Sequence, residues 1–447
     1  MGNPTGNALP ECQLDRIQDL IERLRIGDGR RISPFAGPRL TCFWMDTLCM
    51  FRYRTNRISV MAKIAVSGIP HGDKTLKHKA INNMHHVYTS AFLVLVLDEW
   101  LLQIPSSPPV LDILTRLYQS NWVKRLWTHQ EGFLPNSVCI QFSDRAVDLG
   151  YLLAKDTTLQ HDFGRHAIYL NFPYATQEIL LQQYTVIKKE IMINLKNGEV
   201  WKTYPRLARA MAGRRTTRAT DETICLATIL RFDVDAYQNF KGNSEEERAQ
   251  HMMIKFLKEL KRFPMGIIFN NYERLGISGW RWAPRSLLHH RNASLGYKHH
   301  PVERERDTSR VGGLEGFPVE YPGSLVKFGS VMQGLRSLER AFAIQADGSW
   351  PIAHQYVRIE LPANDDARWM ARIKYDTVLG VILSEIPGEE ERTYMCVVGK
   401  STEKQTDDIK LFEHYSIAKA RVLADPPPRI DIVKAPLLSQ QTKWFVR

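Results

Sequence analysis

The sequence predicts an α/β protein: a parallel-sheet N-terminal domain at residues 13–142, a mainly helical region at 143–300 and a β-rich region at 301–447. Three observations carry this. Between 13 and 142, helical periodicity alternates with short apolar runs, the order that builds a parallel sheet. From about 143 to 265 apolar residues recur at helical spacing. Beyond 322, runs rich in strand formers come at strand length.

Taking the elements in order, Gln13–Ile26 places Leu14, Ile17, Leu20, Ile21 and Leu24 on one helical stripe. Gly27, Gly29, Pro34, Gly37 and Pro38 mark a loop. Leu40–Asp46 is a buried strand, and Thr55–Lys74 a basic connection punctuated by glycine. Leu76–Ser90 is the second helix. Phe92–Leu97 is an apolar strand ending at Asp98, so Trp44, Met45, Leu95 and Leu97 are expected in adjacent buried strands. Leu111, Leu114, Leu117 and Tyr118 share a helix face, after which Ser120 or Asn121 can cap a further helix. Val138–Phe142 is the last strand of this part.

Further on, Thr176–Ile193, the run opened by Thr220, and Ser244–Phe263 read as helices. Trp280–Pro322, rich in Gly, Pro, His and Arg, reads as irregular. Tyr356–Leu361, Met370–Tyr375, Val378–Ser384, Thr393–Val398 and Ile417–Leu423 read as strands.

Composition narrows the function. The 447 residues suffice for two or three domains with cores of their own. The longest apolar run, Ala91–Leu97, is far too short to span a bilayer, and no secretory leader opens the chain, so the cytoplasm is the expected compartment. The six cysteines form no C-x-x-C pair, which argues against a disulfide framework or structural zinc. A net charge of +12 would permit nucleic-acid contact. However, Arg206, Arg209, Arg214, Arg215 and Arg218 come without a recognition motif and read as a solvated basic face. Gly399-Lys400-Ser401 lacks the earlier glycine of a phosphate loop, Tyr394 standing in its place. His129-Gln130-Glu131 lacks the following P-C-x-x-C of a zinc deaminase. His289-His290 and His299-His300 have no cysteine or acidic partner at ligand spacing, so no metal site is expected.

Two features carry functional weight. Trp127 and Glu131 stand four apart on the helix expected after Ser120, as do Arg125 and His129. A carboxylate beside an indole on a rigid helix is a plausible working group, although spacing by itself favours an ordinary amphipathic arrangement. Asp46 ends a strand, where open α/β sheets place ligands. Bonding to nearby loop amides is an equal alternative.

FWMDTLCM (43–50), LVLVLDEWL (93–101) and RLWTHQE (125–131), with Ala80-Ile81-Asn82-Asn83-Met84 followed by Tyr88 and Ala91, resemble in order the motifs of the fungal heterokaryon-incompatibility (HET) domain. The likeness covers roughly 13–135. Arg218–Leu230 and Trp282-Ala283-Pro284-Arg285-Ser286 look like segments that recur downstream of this domain in related fungal proteins. The resemblance implies a TIR-like parallel sheet and a role in self/non-self recognition and programmed cell death.

NAD-cleaving relatives among TIR domains keep a W-x-x-x-E element, which Trp127 and Glu131 match. The resemblance therefore implies Glu131 as catalytic carboxylate, with Asp46 and Trp127 shaping the pocket, the indole stacking on a ring or filling the core, and Arg125 meeting phosphate or pairing with an acid; NAD would be the substrate, with no other cofactor. The family opens with a strand and an aromatic-glycine turn of the A-L-S-Y-x-W-G kind. Only Met1–Glu11, without an aromatic residue, precedes the first helix here. The expectation is a domain whose first strand is lost or lies upstream of a misplaced start. Catalysis and non-catalytic assembly with protein partners or with itself thus stand as the two readings.

Overall fold

The computed structural model describes residues 15, 16, 19, 20, 43, 44, 66, 67, 74–91, 93–154, 180–269, 273–288, 308–310, 316–352, 355–362, 367–371, 373–388, 393–403, 409–439 and 442–447. Two compact units divide the chain: Met1–Lys189 with Asp221–Lys241, and Glu190–Thr220 with Gly242–Arg447. Met45, Asp46 and most of the first expected helix lie outside the described residues; 15, 16, 19 and 20 are helical.

In the first unit, β1 (Phe43–Trp44) pairs in parallel with β2 (Val66–Ser67). Helix α1 (Lys74–Ser90) turns Ile81, Met84 and Tyr88 inward. Strand β3 (Val94–Val96) follows, then α2 (Val110–Gln119), α3 (Asn121–Lys124), α4 (Thr128–Phe133), β4 (Val138–Gln141), β5 (Ala146–Asp148) and α5 (Leu149–Ala154). β3 and β4 are parallel, with Val94 opposite Val138, and β5 returns antiparallel on β4. The architecture is mixed α/β.

One core joins Val96, Leu101, Ile113, Leu114, Leu117, Trp122, Val138, Ile140 and Phe142. Of the α2 stripe read from the sequence, Leu114 and Leu117 are in this core and Tyr118 packs against it, whereas Leu111 does not join it. Two expectations are corrected. The strand stops at Val96, and Leu97 is 39% exposed because it leads into the loop that Asp98 organises. Among the described residues β1 hydrogen-bonds to β2 and β3 to β4, rather than to each other.

The second unit contains α7 (Tyr204–Met211) and α10 (Glu245–Leu260), the latter capped by Ser244, whose hydroxyl accepts from the Glu247 amide. In chain order, α6 (Ile187–Lys196) precedes α7, and α8 (Thr220–Leu230) and α9 (Asp235–Gln238) lie in the Asp221–Lys241 segment of the first unit apart from the first residue of α8. A short antiparallel pair, β6 (Arg262–Pro264) with β7 (Thr308–Arg310), precedes a large sheet.

That sheet runs β9 (Gly323–Lys327), β12 (Val378–Leu383), β13 (Thr393–Glu403), β14 (Ile409–Leu423), β11 (Tyr356–Glu360), β10 (Ala341–Ala346), β15 (Asp431–Ala435). Its ends meet. The Leu438 amide donates to the Gly323 carbonyl at 2.7 Å, and the Ser324 hydroxyl donates to the Pro436 carbonyl at 3.0 Å. The sheet is therefore barrel-like, its two end strands brought together through a single bridge. Val326, Ile344, Val357, Ile359, Val381, Cys396, Val398 and Ala420 belong to the core this barrel encloses. On its outside, β16 (Lys443–Val446) bridges β14 and β8 (Phe317–Glu320).

The strands expected at 356, 378, 393 and 417 are present. The one expected at Met370–Tyr375 is not: Ala367–Ala371 is a 3-10 turn, and Met370 reaches the core from it. The basic face is corrected in part. Arg214 is buried, its Nε donating to the Ala210 carbonyl, and Arg206 pairs with Glu190. Arg209, Arg215 and Arg218 are exposed.

Candidate functional site

The site is built around the loop after β3. Asp98, buried at 6% exposure, accepts from the Trp100 and Leu101 amides through Oδ1 and from the Trp122 amide through Oδ2, at 3.1, 3.3 and 3.0 Å. One carboxylate thus satisfies the first free amides of a 3-10 turn and of α3, tying the two together. Ser120 adds its hydroxyl to the Val123 amide at 3.3 Å, as its position before the helix implies.

The single helix expected after Ser120 is instead two short ones. The chain extends at Arg125 (φ −75°, ψ 142°) and resumes at α4. The Thr128 hydroxyl holds the break by donating to the carbonyls of Trp122 and Arg125. Arg125 and His129 therefore do not share a face. Arg125 is exposed, whereas His129 is fully buried, its ring 5.5 Å from that of Phe133 and 6.0 Å from that of Tyr184.

Glu131 is half-buried in the first turn of α4, and the Trp122 indole N–H donates to its Oε2 at 3.2 Å. The Trp122 ring stacks on Tyr184 at 5.4 Å and 18°. Tyr184 comes from a π-helical turn, Gln182–Val186, a local over-widening of the kind found at functional positions. Gly132 permits the stack: a Cβ there would run into the Tyr184 ring and stand 2.9 Å from Trp122. Trp127 points its N–H elsewhere, to Asp221 Oδ2 at 2.9 Å on α8. The acid of the Arg218–Leu230 segment is thus the hydrogen-bond partner of the tryptophan in RLWTHQE.

Of the residues singled out from the sequence, Glu131, Trp127 and Arg125 fall on this one stretch, and Asp46 lies outside the described residues. Sequence reasoning missed Trp122, Asp98, Asp221 and Tyr184. The aspartate closing an apolar run was a usable signal for Asp98; nothing local pointed to Tyr184. Gln130, also fully buried, has no hydrogen-bond partner for its amide among the described residues. Among those residues no cluster of three His, Cys, Asp or Glu could hold a metal ion. Nor is any described helix long and apolar enough to cross a membrane.

In chemical terms the arrangement offers one carboxylate, oriented by an indole N–H and left partly open to solvent, on a helical stretch tied through Trp122 to Asp98 at the carboxyl end of β3. That end of a parallel pair is where α/β sheets take ligands. The chain matches no protein-family model, no curated protein and no solved structure.

Proposed function

We propose that the chain is a heterokaryon-incompatibility-type protein acting in fungal self/non-self recognition, and that its first unit hydrolyses NAD at the nicotinamide–ribose bond through Glu131. The observation that carries this reading is the Trp122–Glu131 hydrogen bond, which supports an oriented, accessible carboxylate. NAD needs little more. Its leaving group is a cationic pyridinium, so the C1′–N bond breaks with its electron pair going to nicotinamide, and no general acid is required. Water then adds its oxygen to C1′ and releases a proton. A fixed negative charge beside the oxocarbenium-like centre lowers the barrier. In this reading Asp46 and Trp127 shape the pocket and Arg125 meets phosphate.

A second reading, a non-catalytic module that assembles with protein partners, is favoured by the engagement of Asp98 and Trp127. Both serve internal contacts, to three amides and to Asp221. NAD consumption by the wild-type chain and by Glu131→Gln separates the readings. Catalysis predicts turnover that falls on the order of a hundredfold or more in the variant. No turnover by either protein, with the fold intact, leaves assembly.

A further inference from the structure

Residues 104–109, Ile-Pro-Ser-Ser-Pro-Pro, connect the 3-10 turn Leu101–Gln103 to α2 in the first unit. Prolines at 105, 108 and 109 lack the amide hydrogen that helix or strand pairing would use. Ser107 and Pro108 each precede a proline, a position that disfavours helical backbone. Both ends are extended, Ile104 at φ −109° and ψ 145°, Pro109 at φ −51° and ψ 142°. The segment holds neither helix nor strand.

Its two serines differ. Ser106 is engaged on the turn between β4 and β5. Its amide donates to Asp144 Oδ1 at 2.8 Å and its hydroxyl to Oδ2 at 2.7 Å, while Arg145 Nε donates to that hydroxyl at 2.7 Å. The Ser143 amide adds a bond to the Ile104 carbonyl at 2.9 Å. Ser107 is exposed, and no hydrogen bond engages its hydroxyl among the described residues.

Pro108 gives that hydroxyl a chemical address. A recognition groove with an apolar wall at the position after the acceptor leaves an ordinary residue's N–H without a partner. Proline has no N–H and escapes that cost, so the groove selects it. We infer that Ser107 is a phosphorylation site for a proline-directed protein kinase. In the transfer, Ser107 Oγ attacks the γ-phosphorus of ATP and forms the new O–P bond. The bond to the bridging oxygen breaks with its electron pair leaving on ADP, and the hydroxyl proton passes to the kinase's base. The Ser106–Asp144 bonds gate the reaction, because the segment must leave the turn to enter a groove. Once added, the phosphate stands one residue from Ser106 and repels the Asp144 carboxylate that holds it. None of this depends on NAD chemistry at Glu131.

Incubating the full chain with ATP and a purified mitogen-activated protein kinase, then localising phosphate by mass spectrometry, tests the assignment. Phosphate on Ser107 and none on Ser106 is expected. Pro108→Ala slows modification of Ser107 about tenfold, the cost of one unsatisfied donor in the groove. Asp144→Ala, with its circular dichroism unchanged, speeds it about tenfold by releasing Ser106. A synthetic peptide of residues 101–113 is the unfolded reference. Modification of the peptide but not of Ser107 in the folded chain overturns the proposal. So does phosphate on neither, phosphate confined to Ser33, the sequence's other serine followed by proline, or a rate at Ser107 indifferent to the Pro108 change. A wild-type rate in Asp144→Ala overturns the gating by the turn.

Discussion

The Trp122 indole donates to the Glu131 carboxylate at 3.2 Å while its ring lies flat on Tyr184. The carboxylate that the sequence pairs with Trp127 is therefore oriented by a different tryptophan, nine residues earlier. Trp122→Phe keeps the aromatic stack and removes the donor. Its expected cost is about 1 kcal/mol in urea unfolding, the net worth of one hydrogen bond. If Glu131 acts on NAD, kcat should fall with little change in KM. A variant with wild-type kcat would show that the indole does not position the acid.

Gly132→Ala should be disruptive despite adding one methyl group. The new Cβ meets the Tyr184 ring and Trp122 together, and overfilling a packed site costs about 1–3 kcal/mol. Gly150, whose Cβ would have only the Asp148 carboxylate nearby at 3.0 Å, is the control. Comparing the two alanine variants by denaturant midpoint checks this.

Asp98→Ala strips the acceptor from three backbone amides at once. Buried donors left without partners cost more than the hydrogen bonds were worth, so a loss of about 2–3 kcal/mol is expected. Hydrogen exchange should show the amides of Trp100, Leu101 and Trp122 losing protection. An unchanged exchange pattern would argue that other groups replace the carboxylate.

His414 gives the second unit an acid sensitivity. Burial pushes its ring well below the usual histidine range, the Arg274 guanidinium adds to this and Arg281 contributes further; a bond with the Ile268 carbonyl acts in the opposite sense. The sign follows from linkage. Above the ordinary value of about 6.5 the ring is neutral folded and unfolded. Below it the unfolded chain takes up a proton that the fold refuses, so stability declines as pH falls from about 6.5 toward the folded value. His414→Gln should flatten this decline by up to about 1.4 kcal/mol per pH unit, measured by urea unfolding between pH 7 and 5. His85, also lowered, first by burial, remains in both proteins and cancels from the difference.

Local pattern determined a good deal of this protein. The periodicity of Leu114, Leu117 and Tyr118 marks the core-facing wall of α2 because a helix repeats its face every three to four residues; Leu111 is only half-buried, and Ile113 joins the wall instead. Ser120 marks a helix start because its hydroxyl reaches the amide three residues on. The strands from 356, 378 and 393 show in their β-branched runs; along β11, Val357 and Ile359 are buried between half-buried neighbours.

Tertiary structure decided the rest. The meeting of the large sheet's ends depends on the Gly323–Leu438 bridge, between residues over a hundred positions apart, which no local window contains. Likewise, which tryptophan faces Glu131 depends on the break at Arg125 and on Tyr184 arriving from a distant π-turn. Trp127 finds Asp221 ninety-four residues away for the same reason. Spacing along a helix fixes which residues share a face only while the helix is continuous. Here the contacts that satisfy Thr128 and Asp98 interrupt it, so the partners of Glu131 and Trp127 were set by the packed fold.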